Sequence, residues 1–401
     1  MEKIRIMHQC GHNCTWNFRS FIEDNVGDGL IISPVDLDFN KINKLPESIK
    51  TVSIFDPQYY LPWSSKKKLN AYPYFPNVFF NTEEFSIQSF QAHKVKSAEE
   101  CVNFQLRNDF KYIIIPTFYS EEITDTIFSD LDNYIITPFL DALNKYNCSK
   151  PVLLTAIVNN VQLINANLNT KLLNFLTGYP EIDGIYLIPN IKRAINKKRI
   201  DDINTLKSLL TFIDDLKSAN LEVHIGYIDV EGYLLSIANP DSISIGAYEN
   251  SRRFGIDKFI GDNRPSPPNA RIYSNVLLQW IDTSYIDVLK SMYSNFDNLF
   301  ENNKYLDLML RTSYNWHFTK KEPYMHYFLS FSNQIRRLNN TLQERYNDIY
   351  YTLITAKQYF SEIYNSGIVF DTASNGEHIE KWITVLNWYA KTKGVEINVQ
   401  N

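Results

Sequence analysis

Short apolar runs recur from residue 4 to residue 245, and most of the intervals between them look helical. The runs cover residues 4–7, 29–32, 51–55, 112–115, 152–157, 184–188, 221–227 and 242–245. Most are continuously apolar rather than alternating, which is typical of parallel strands that are covered on both faces. The alternation of strands with helices therefore predicts an α/β fold with right-handed crossovers.

The number of runs favours a closed barrel over an open sheet. Helices are predicted over 14–25, 97–108, 125–146, 169–176 and 200–219. No Gly-x-Gly-x-x-Gly segment follows the first run, as an open dinucleotide-binding sheet would require. Eight strand–helix units before residue 260 match a (β/α)8 TIM-type barrel, which needs roughly 250 residues. An open sheet with one miscounted strand is the alternative.

After residue 268 the pattern becomes helical. Helices are predicted over 276–300, 327–364 and 377–391. The segment 261–268 reads GDNRPSPP and is rich in residues that end regular structure. We therefore expect the barrel to occupy residues 1–268 and a C-terminal α-helical extension to occupy residues 269–401.

An aromatic-rich loop, residues 57–96, follows the third predicted strand. It is much longer than the roughly 2–6 residues of an ordinary connection from strand to helix. In a TIM-type barrel this loop lies at the end where active sites are built. Two interpretations stay open. The loop is a lid over a site or a stacking platform for rings, or it is an excursion with its own small core or one packed on the helical extension.

Polar side chains follow most of the predicted strands, and in a barrel these positions meet at one mouth. Charges at the ends of buried strands are costly unless they are paired or used, so the mouth is the predicted binding or catalytic site. The candidate substrate-binding residues are His8, His12, Asp36, Tyr59, Tyr119, Asn159, Asn190, Tyr248, Arg252 and Arg253.

Four carboxylates at the strand ends are the candidate catalytic residues: Asp56, Asp229, Glu231 and Glu249. Paired carboxylic acids cleave glycosidic bonds through an oxocarbenium-like transition state. The motifs of serine hydrolases and phosphate-binding loops are missing, and the cysteines and histidines near the N-terminus have no second cluster to complete a zinc site. We expect an enzyme that acts on a glycosidic or N-glycosidic bond without metal or cofactor. For each single carboxylate, a salt bridge to a neighbouring arginine is the structural alternative.

Asp229 and Glu231 stand two residues apart after the seventh predicted strand, so an extended backbone aims both at the barrel axis. Arg252 or Arg253 from the next strand end is expected to hold one of them ionised. Shielding by the aromatic loop is expected to raise the pKa of the other, which would then act as a general acid. Exchanging either acid for its amide is expected to change the thermal melt by only a few degrees.

Charge and composition are those of an ordinary globular protein. Lys and Arg number 40 against 45 Asp and Glu, and the formal net charge of −5 does not indicate a nucleic-acid binder. No apolar run approaches the roughly 20 residues of a membrane span, and no signal-like segment follows Met1. We expect a cytoplasmic protein with reduced thiols and no membrane association. Local basic clusters among tyrosines favour an anionic small molecule or a nucleic acid as partner, and the C-terminal helices a protein partner.

Two segments, Asp56-Pro57-Gln58-Tyr59 and SISIGAYEN at 242–250, together with the basic, aromatic-rich mouth, resemble the tRNA-guanine transglycosylase-like barrels. The zinc motif and the glycine-rich base-reading segment of the tRNA enzymes are missing here. The resemblance implies base exchange or hydrolysis on a nucleotide or nucleic-acid substrate, with Asp56 or Asp229 as nucleophile. The alternative is a non-catalytic barrel that binds a nucleotide or protein partner within a larger assembly.

Overall fold

Eight parallel strands form one sheet that curves into a barrel. The computed structural model describes residues 3–61, 66, 68–75, 87–122, 124–193, 196–260 and 268–397. The strands are β1 (Arg5–Gln9), β2 (Gly29–Ile32), β3 (Ile54–Phe55), β4 (Ile113–Ile115), β5 (Val152–Asn159), β6 (Gly184–Asn190), β7 (Glu222–Ile225) and β8 (Ser242–Gly246). They pair in the order β3-β2-β1-β8-β7-β6-β5-β4. The first and last strands in sequence are thus neighbours, and the predicted (β/α)8 barrel is confirmed in a nearly closed form.

Helices between the strands cover the outside of the barrel. They are α1 (Thr15–Glu23), α2 (Phe39–Asn43), α3 (Glu47–Lys50), α4 (Lys94–Arg107), α5 (Asp125–Leu131), α6 (Thr137–Lys145), α7 (Asn160–Ile164), α8 (Ala166–Leu176), α9 (Ile203–Ser218), α10 (Glu231–Leu235) and α11 (Glu249–Arg252). The helix predicted over 125–146 is α5 joined to α6 by a π-helical turn at Asp132–Ile136. None of the described helices is both long and apolar enough to cross a membrane.

Side chains on each strand alternate between the barrel interior and the layer of helices. On β1, Ile6 packs in the layer of helices, whereas Met7 packs inside the barrel with Ile31 and Tyr186. Aliphatic and aromatic residues of this inner group fill the barrel along its axis. Polar chemistry is therefore concentrated at the two ends of the barrel.

The C-terminal extension is helical with the addition of a hairpin. Strands β9 (Arg271–Ser274) and β10 (Gln279–Asp282) pair in an antiparallel hairpin. The prediction of a helix over 276–300 is therefore wrong for its first part. The helices that follow are α12 (Ile286–Met292), α13 (Lys304–Met309), α14 (Glu322–Arg336), α15 (Leu342–Asn365) and α16 (Glu377–Thr392). The helix predicted over 327–364 is two helices, because the side chain of Thr341 caps a new start at α15. The helix predicted over 377–391 is confirmed as α16.

The extension shares its apolar core with the barrel. Tyr273, Trp280 and Trp382 are buried among residues of the barrel helices and strands. The indole Nε1 of Trp382 donates a hydrogen bond to the backbone oxygen of Ile200 at 2.8 Å. Removal of the extension would expose this apolar surface to water.

A chain that ends at residue 268 is therefore expected to aggregate, since the barrel would lose the cover over that surface. Size-exclusion chromatography and circular dichroism of residues 1–268, compared with the full chain, measure this. A monomeric fragment with the melting temperature of the full chain would instead make the extension an independent domain on a linker. The boundary near residue 268 stays a prediction until then.

The described part of the aromatic-rich loop builds a small core outside β3. Tyr59 stacks on Tyr74 at 5.6 Å between ring centroids, and its hydroxyl lies 2.6 Å from Ser97 Oγ. Tyr72 packs on Phe55 of the same wall at 5.8 Å. This part matches the excursion with its own core, while residues 62–65, 67 and 76–86 of the loop lie outside the described residues.

Candidate functional site

Asp56 follows β3 directly and is buried at the mouth of the barrel. The Tyr60 hydroxyl donates to its Oδ2 at 2.6 Å, and the backbone N–H of Gln58 donates to its Oδ1 at 3.0 Å. Burial raises the pKa of Asp56 to about 7, against the opposing effects of these two hydrogen bonds and of Lys258. A carboxyl with this pKa exchanges a proton readily at neutral pH.

A second carboxylate, Asp36, lies near Asp56 and is paired with a lysine. Lys258 Nζ is 3.1 Å from Asp36 Oδ2, and Ser33 Oγ donates to the same oxygen at 3.1 Å. The charge of Asp36 contributes to the raised pKa of Asp56, so the two carboxyl groups interact electrostatically. The mouth therefore brings together two of the predicted site residues, and Lys258, which lies between β8 and the extension, is the cation paired with Asp36.

The backbone beside Asp56 is strained at two non-glycine residues. Gln58 has φ 55° and Tyr227 has φ 49°, which is the left-handed region that favours glycine. Gln58 Nε2 donates to the Tyr227 hydroxyl at 3.1 Å, linking the ends of β3 and β7. Strain of this kind costs roughly 1–3 kcal/mol per residue and is concentrated at functional sites.

Aromatic rings cover Asp56 from the outside. We call Tyr60, Tyr227, Phe254 and Phe259 the aromatic plug; all four are buried. The ring of Tyr60 meets those of Phe254 and Phe259 edge-on, each at 5.1 Å between centroids. The plug keeps water from Asp56, which is the physical reason for the raised pKa of that carboxyl.

Two more predicted residues meet at the rim of the mouth. Asn190 Nδ2 donates to the Tyr119 hydroxyl at 3.2 Å. The Tyr119 ring lies 6.2 Å from that of Phe254, so this pair borders the aromatic plug.

Asp229 lies after β7 and is held by two arginines. Its Oδ2 is 2.7 Å from Arg199 Nη1 and 3.2 Å from Arg252 Nε. Its Oδ1 accepts a hydrogen bond from Trp280 Nε1 of the extension at 3.2 Å. Burial by itself would raise the pKa of Asp229, but Arg199 and Arg252 outweigh it and hold that pKa well below its usual range.

Glu231 is buried beside Asp229 and is also paired with arginine. Its Oε1 is 3.2 Å from Arg193 Nη2 and accepts a hydrogen bond from the backbone N–H of Ile200 at 2.6 Å. Its Oε2 is 3.9 Å from Arg199 Nη1, so the two acids share one guanidinium group. The predicted pair is together at the mouth, but the expected extended backbone is wrong: Val230 between the two acids is helical, with φ −57° and ψ −22°, and α10 begins at Glu231. Trp280 of the extension covers this ion-pair network.

Glu249 lies at the start of α11 and completes this network. Lys198 Nζ is 2.9 Å from its Oε2, and Arg253 Nη1 is 3.9 Å from its Oε1. Burial opposes ionisation, but Lys198 and Arg252 prevail and lower the pKa of Glu249. The group formed by Arg193, Lys198, Arg199, Arg252, Arg253, Asp229, Glu231 and Glu249 is called the arginine network below.

His8 and Tyr59 do not face the mouth. His8 points into the layer of helices, where its Nε2 lies 2.9 Å from the backbone oxygen of Val26, and burial lowers its pKa to about 4. Tyr59 belongs to the small core outside β3. The alternation of side chains along β1 explains why His8 points outward. The neighbouring Gln9 points into the barrel, where its Oε1 lies 3.3 Å from the Tyr186 hydroxyl.

Three further predicted residues have other surroundings. Asn159 caps the start of α7, because its Oδ1 accepts a hydrogen bond from the backbone N–H of Gln162. Tyr248 lies against Trp16, at 5.1 Å between ring centroids. His12 is exposed in the turn after β1.

Comparisons with known proteins add one distant match. No protein-family model and no curated protein matches this chain. The crystal structure of a dihydrodipicolinate synthase from Oceanobacillus iheyensis is similar over 77% of this chain and 80% of that chain, with 11% identity and a TM-score of 0.24. Likeness at this level carries no argument about activity. The resemblance to transglycosylase-like barrels stays a prediction.

Sequence reasoning missed Lys258, Tyr60 and Trp280. Tyr60 follows Asp56 by four residues, so the aromatic-rich loop held a signal for it. Trp280 comes from a hairpin predicted as helix, and nothing local to β7 indicates its contact with Asp229. In the described part of the chain, no three His, Cys, Asp or Glu side chains are arranged to hold a metal ion.

Proposed function

We propose that this chain is an enzyme that breaks or exchanges a glycosidic or N-glycosidic bond, with Asp56 as the proton-transferring group. The observation that carries the proposal is the setting of Asp56. It is fully buried at the end of a barrel strand and is held by a tyrosine hydroxyl and a backbone amide rather than by a cation. In TIM-type barrels, catalytic residues come from these strand ends.

The chemistry assigned to Asp56 is general acid catalysis. Its protonated form donates its proton to the oxygen or nitrogen of the leaving group as the bond to the anomeric carbon breaks. Water, or the incoming base in an exchange, forms the new bond to that carbon, and the proton that it loses returns to Asp56. Asp36, paired with Lys258, is the second carboxylate, near the positive charge that develops on the sugar. Asp229 and Glu231 are assigned to substrate binding and structure, since arginines neutralise both.

Substrate entry requires the aromatic plug to move. Phe254 and Phe259 belong to one short segment after β8, whereas Tyr60 belongs to the loop after β3. Displacement of the segment with Phe254 would uncover Asp56 without breaking any barrel strand. Such closure over a buried acid excludes water during the reaction.

A panel of 4-nitrophenyl glycosides, nucleosides and nucleoside 5′-phosphates tests the proposal. Released nitrophenolate or free base is measured for the full chain and for Asp56→Asn. We expect turnover that falls as pH rises above about 7, where the acid ionises, and a loss of about 10²–10⁴-fold in the variant. Asp297→Asn, exposed in the extension, is the matched control. Equal turnover by Asp56→Asn would contradict the proposal.

The second candidate is a non-catalytic barrel that binds an anionic ligand or a partner within an assembly. Pairing of Asp229, Glu231 and Glu249 with basic side chains favours it, because a scaffold holds its carboxylates in salt bridges. Saturable binding without turnover of any compound in the panel would support this candidate.

A further inference from the structure

We infer that Arg193 and Arg253, which follow β6 and β8, bind the phosphoryl group of a small phosphorylated substrate. The inference rests on the proposed function and names the charge of its substrate. It concerns the part of the mouth that follows β6, β7 and β8, where the arginine network lies.

The arginine network contains more positive than negative charge. Five basic side chains, Arg193, Lys198, Arg199, Arg252 and Arg253, are in direct contact with three carboxylates, Asp229, Glu231 and Glu249. Each carboxylate is shared by two cations. The nearby Arg271 is not counted in this network, because it interacts electrostatically with Asp371 and Asp282. The side chains of Arg193, Arg199 and Arg252 are buried, whereas those of Lys198 and Arg253 are 31% and 39% exposed at the edge of the network, where an anion could reach them and neutralise the surplus charge.

Arg193 has a buried donor with no acceptor. Its side chain is 5% exposed, and its Nη2 forms an ion pair with Glu231. Among the described residues, its Nε has no hydrogen-bond partner. An unsatisfied buried N–H costs roughly 1–3 kcal/mol, more for a charged group, so an acceptor oxygen at this position would be strongly favoured.

Arg253 lies close enough to Arg193 for the two charges to repel. Burial is the main cause of its lowered pKa, and the charge of Arg193 is the next. The nearest carboxylate oxygen, on Glu249, is 3.9 Å away, beyond hydrogen-bond distance. A tetrahedral oxyanion between the two guanidinium groups would relieve their mutual repulsion. Its oxygens would accept hydrogen bonds from the paired N–H groups of each arginine.

The position of Arg253 connects this site to Asp56. The next residue, Phe254, packs on Tyr60 at 5.1 Å between ring centroids, and the Tyr60 hydroxyl donates to Asp56. A substrate that spans the two places would carry its phosphoryl group at Arg253 and its scissile bond at Asp56. Its phosphoryl group would contact the residue that precedes the movable Phe254 of the plug.

Isothermal titration of the full chain with inorganic phosphate and with ribose 5-phosphate, at constant ionic strength in chloride, tests the inference. We expect saturable binding of both, weakened at least tenfold in Arg253→Gln. Arg253→Lys keeps the charge but loses the paired donors and should recover part of the affinity. Arg253 is the residue to change, because loss of Arg193 would leave the buried Glu231 with only the more distant Arg199, at 3.9 Å, as its cation. Arg19→Gln is the control, because the Arg19 side chain on α1 is 42% exposed and lies outside the arginine network.

Unchanged binding in Arg253→Gln, or no saturable binding of either phosphate, would overturn the inference. Binding of a short oligothymidylate without binding of ribose 5-phosphate would overturn it in favour of nucleic acid. Asp56→Asn separates the two proposals, since it should keep phosphate affinity while losing turnover. Loss of turnover in Asp56→Asn without any phosphate binding would leave the proposed function standing and remove the phosphate site.

Discussion

Asp56→Asn is expected to stabilise the protein at pH 8 while it abolishes activity. In the folded protein the pKa of Asp56 is raised from 3.8 to about 7. The unfolded chain therefore ionises this group first, and its effect on stability turns unfavourable as pH rises from about 4 to about 7. Above pH 7 the cost is constant, at as much as about 4 kcal/mol for a shift of this size. Asparagine has nearly the same shape and cannot ionise; its Oδ1 can accept from Gln58 N–H, and the Tyr60 hydroxyl can rotate to accept from its Nδ2.

Urea unfolding of both proteins between pH 4 and pH 8 measures this effect. The difference in unfolding free energy should favour the variant increasingly with pH and level off above about 7. Asp297→Asn should follow the unmodified protein throughout. Parallel curves for Asp56→Asn and the unmodified protein would mean that Asp56 has an ordinary pKa. A confirmed gain would show that the fold keeps a destabilising acid, which is typical of catalytic groups.

Asp229→Asn is expected to destabilise the protein by about 3–5 kcal/mol, because it leaves Arg199 and Arg252 buried without their carboxylate. The sequence alone had led to the opposite expectation of a nearly unchanged melt. That expectation assumed that Asp229 and Glu231 repel each other. In the structure Asp229 is attracted to two cations, so removal of its charge costs stability. Its lowered pKa means that this stabilisation is present above the ordinary pKa of 3.8 and is lost as pH falls below it. Urea unfolding at pH 7 measures the loss.

Two further variants make this test specific. Glu23→Gln removes an exposed salt bridge with Arg19 and should change the unfolding free energy by less than about 0.5 kcal/mol. Arg252→Gln in the Asp229→Asn background removes one unpaired charge and should restore part of the stability. A loss below about 1 kcal/mol in Asp229→Asn would show that the arginine network contributes little to folding.

The barrel could be predicted because its strands are short, continuous apolar runs in regular alternation with helices. The β9–β10 hairpin could not, since a short apolar run such as 277–281 fits a helix or a strand equally well. Leu278, with φ 49°, makes the turn into β10 without a glycine to indicate it. The break before α15 did have a signal, because Thr341 and Glu344 have the spacing of a capping box.

The sequence predicts where the site residues lie in the barrel, but it does not predict which residues they contact. Strand ends identify Asp56 and Asp229 as residues of the mouth, since that follows from the topology of parallel strands. Their opposite environments depend on distant partners. Arg199 precedes Asp229 by 30 residues, and Tyr60 turns inward while Tyr59 turns outward from the same loop. Such contacts are set by tertiary packing, which leaves no local pattern.

The order of the strands places one discontinuity in the barrel wall. The ladder ends at β3 and β4, which have two and three residues, and a backbone bond from Lys111 N to Ser53 O at 3.0 Å joins the segments that precede them. Packing of rings such as Phe55 on Phe110 closes this seam. The bore of the barrel can therefore widen along this line at the expense of that backbone bond and of side-chain contacts, while the ladder of β3 to β4 through the other strands stays intact. Asp56 is attached to the strand that would move.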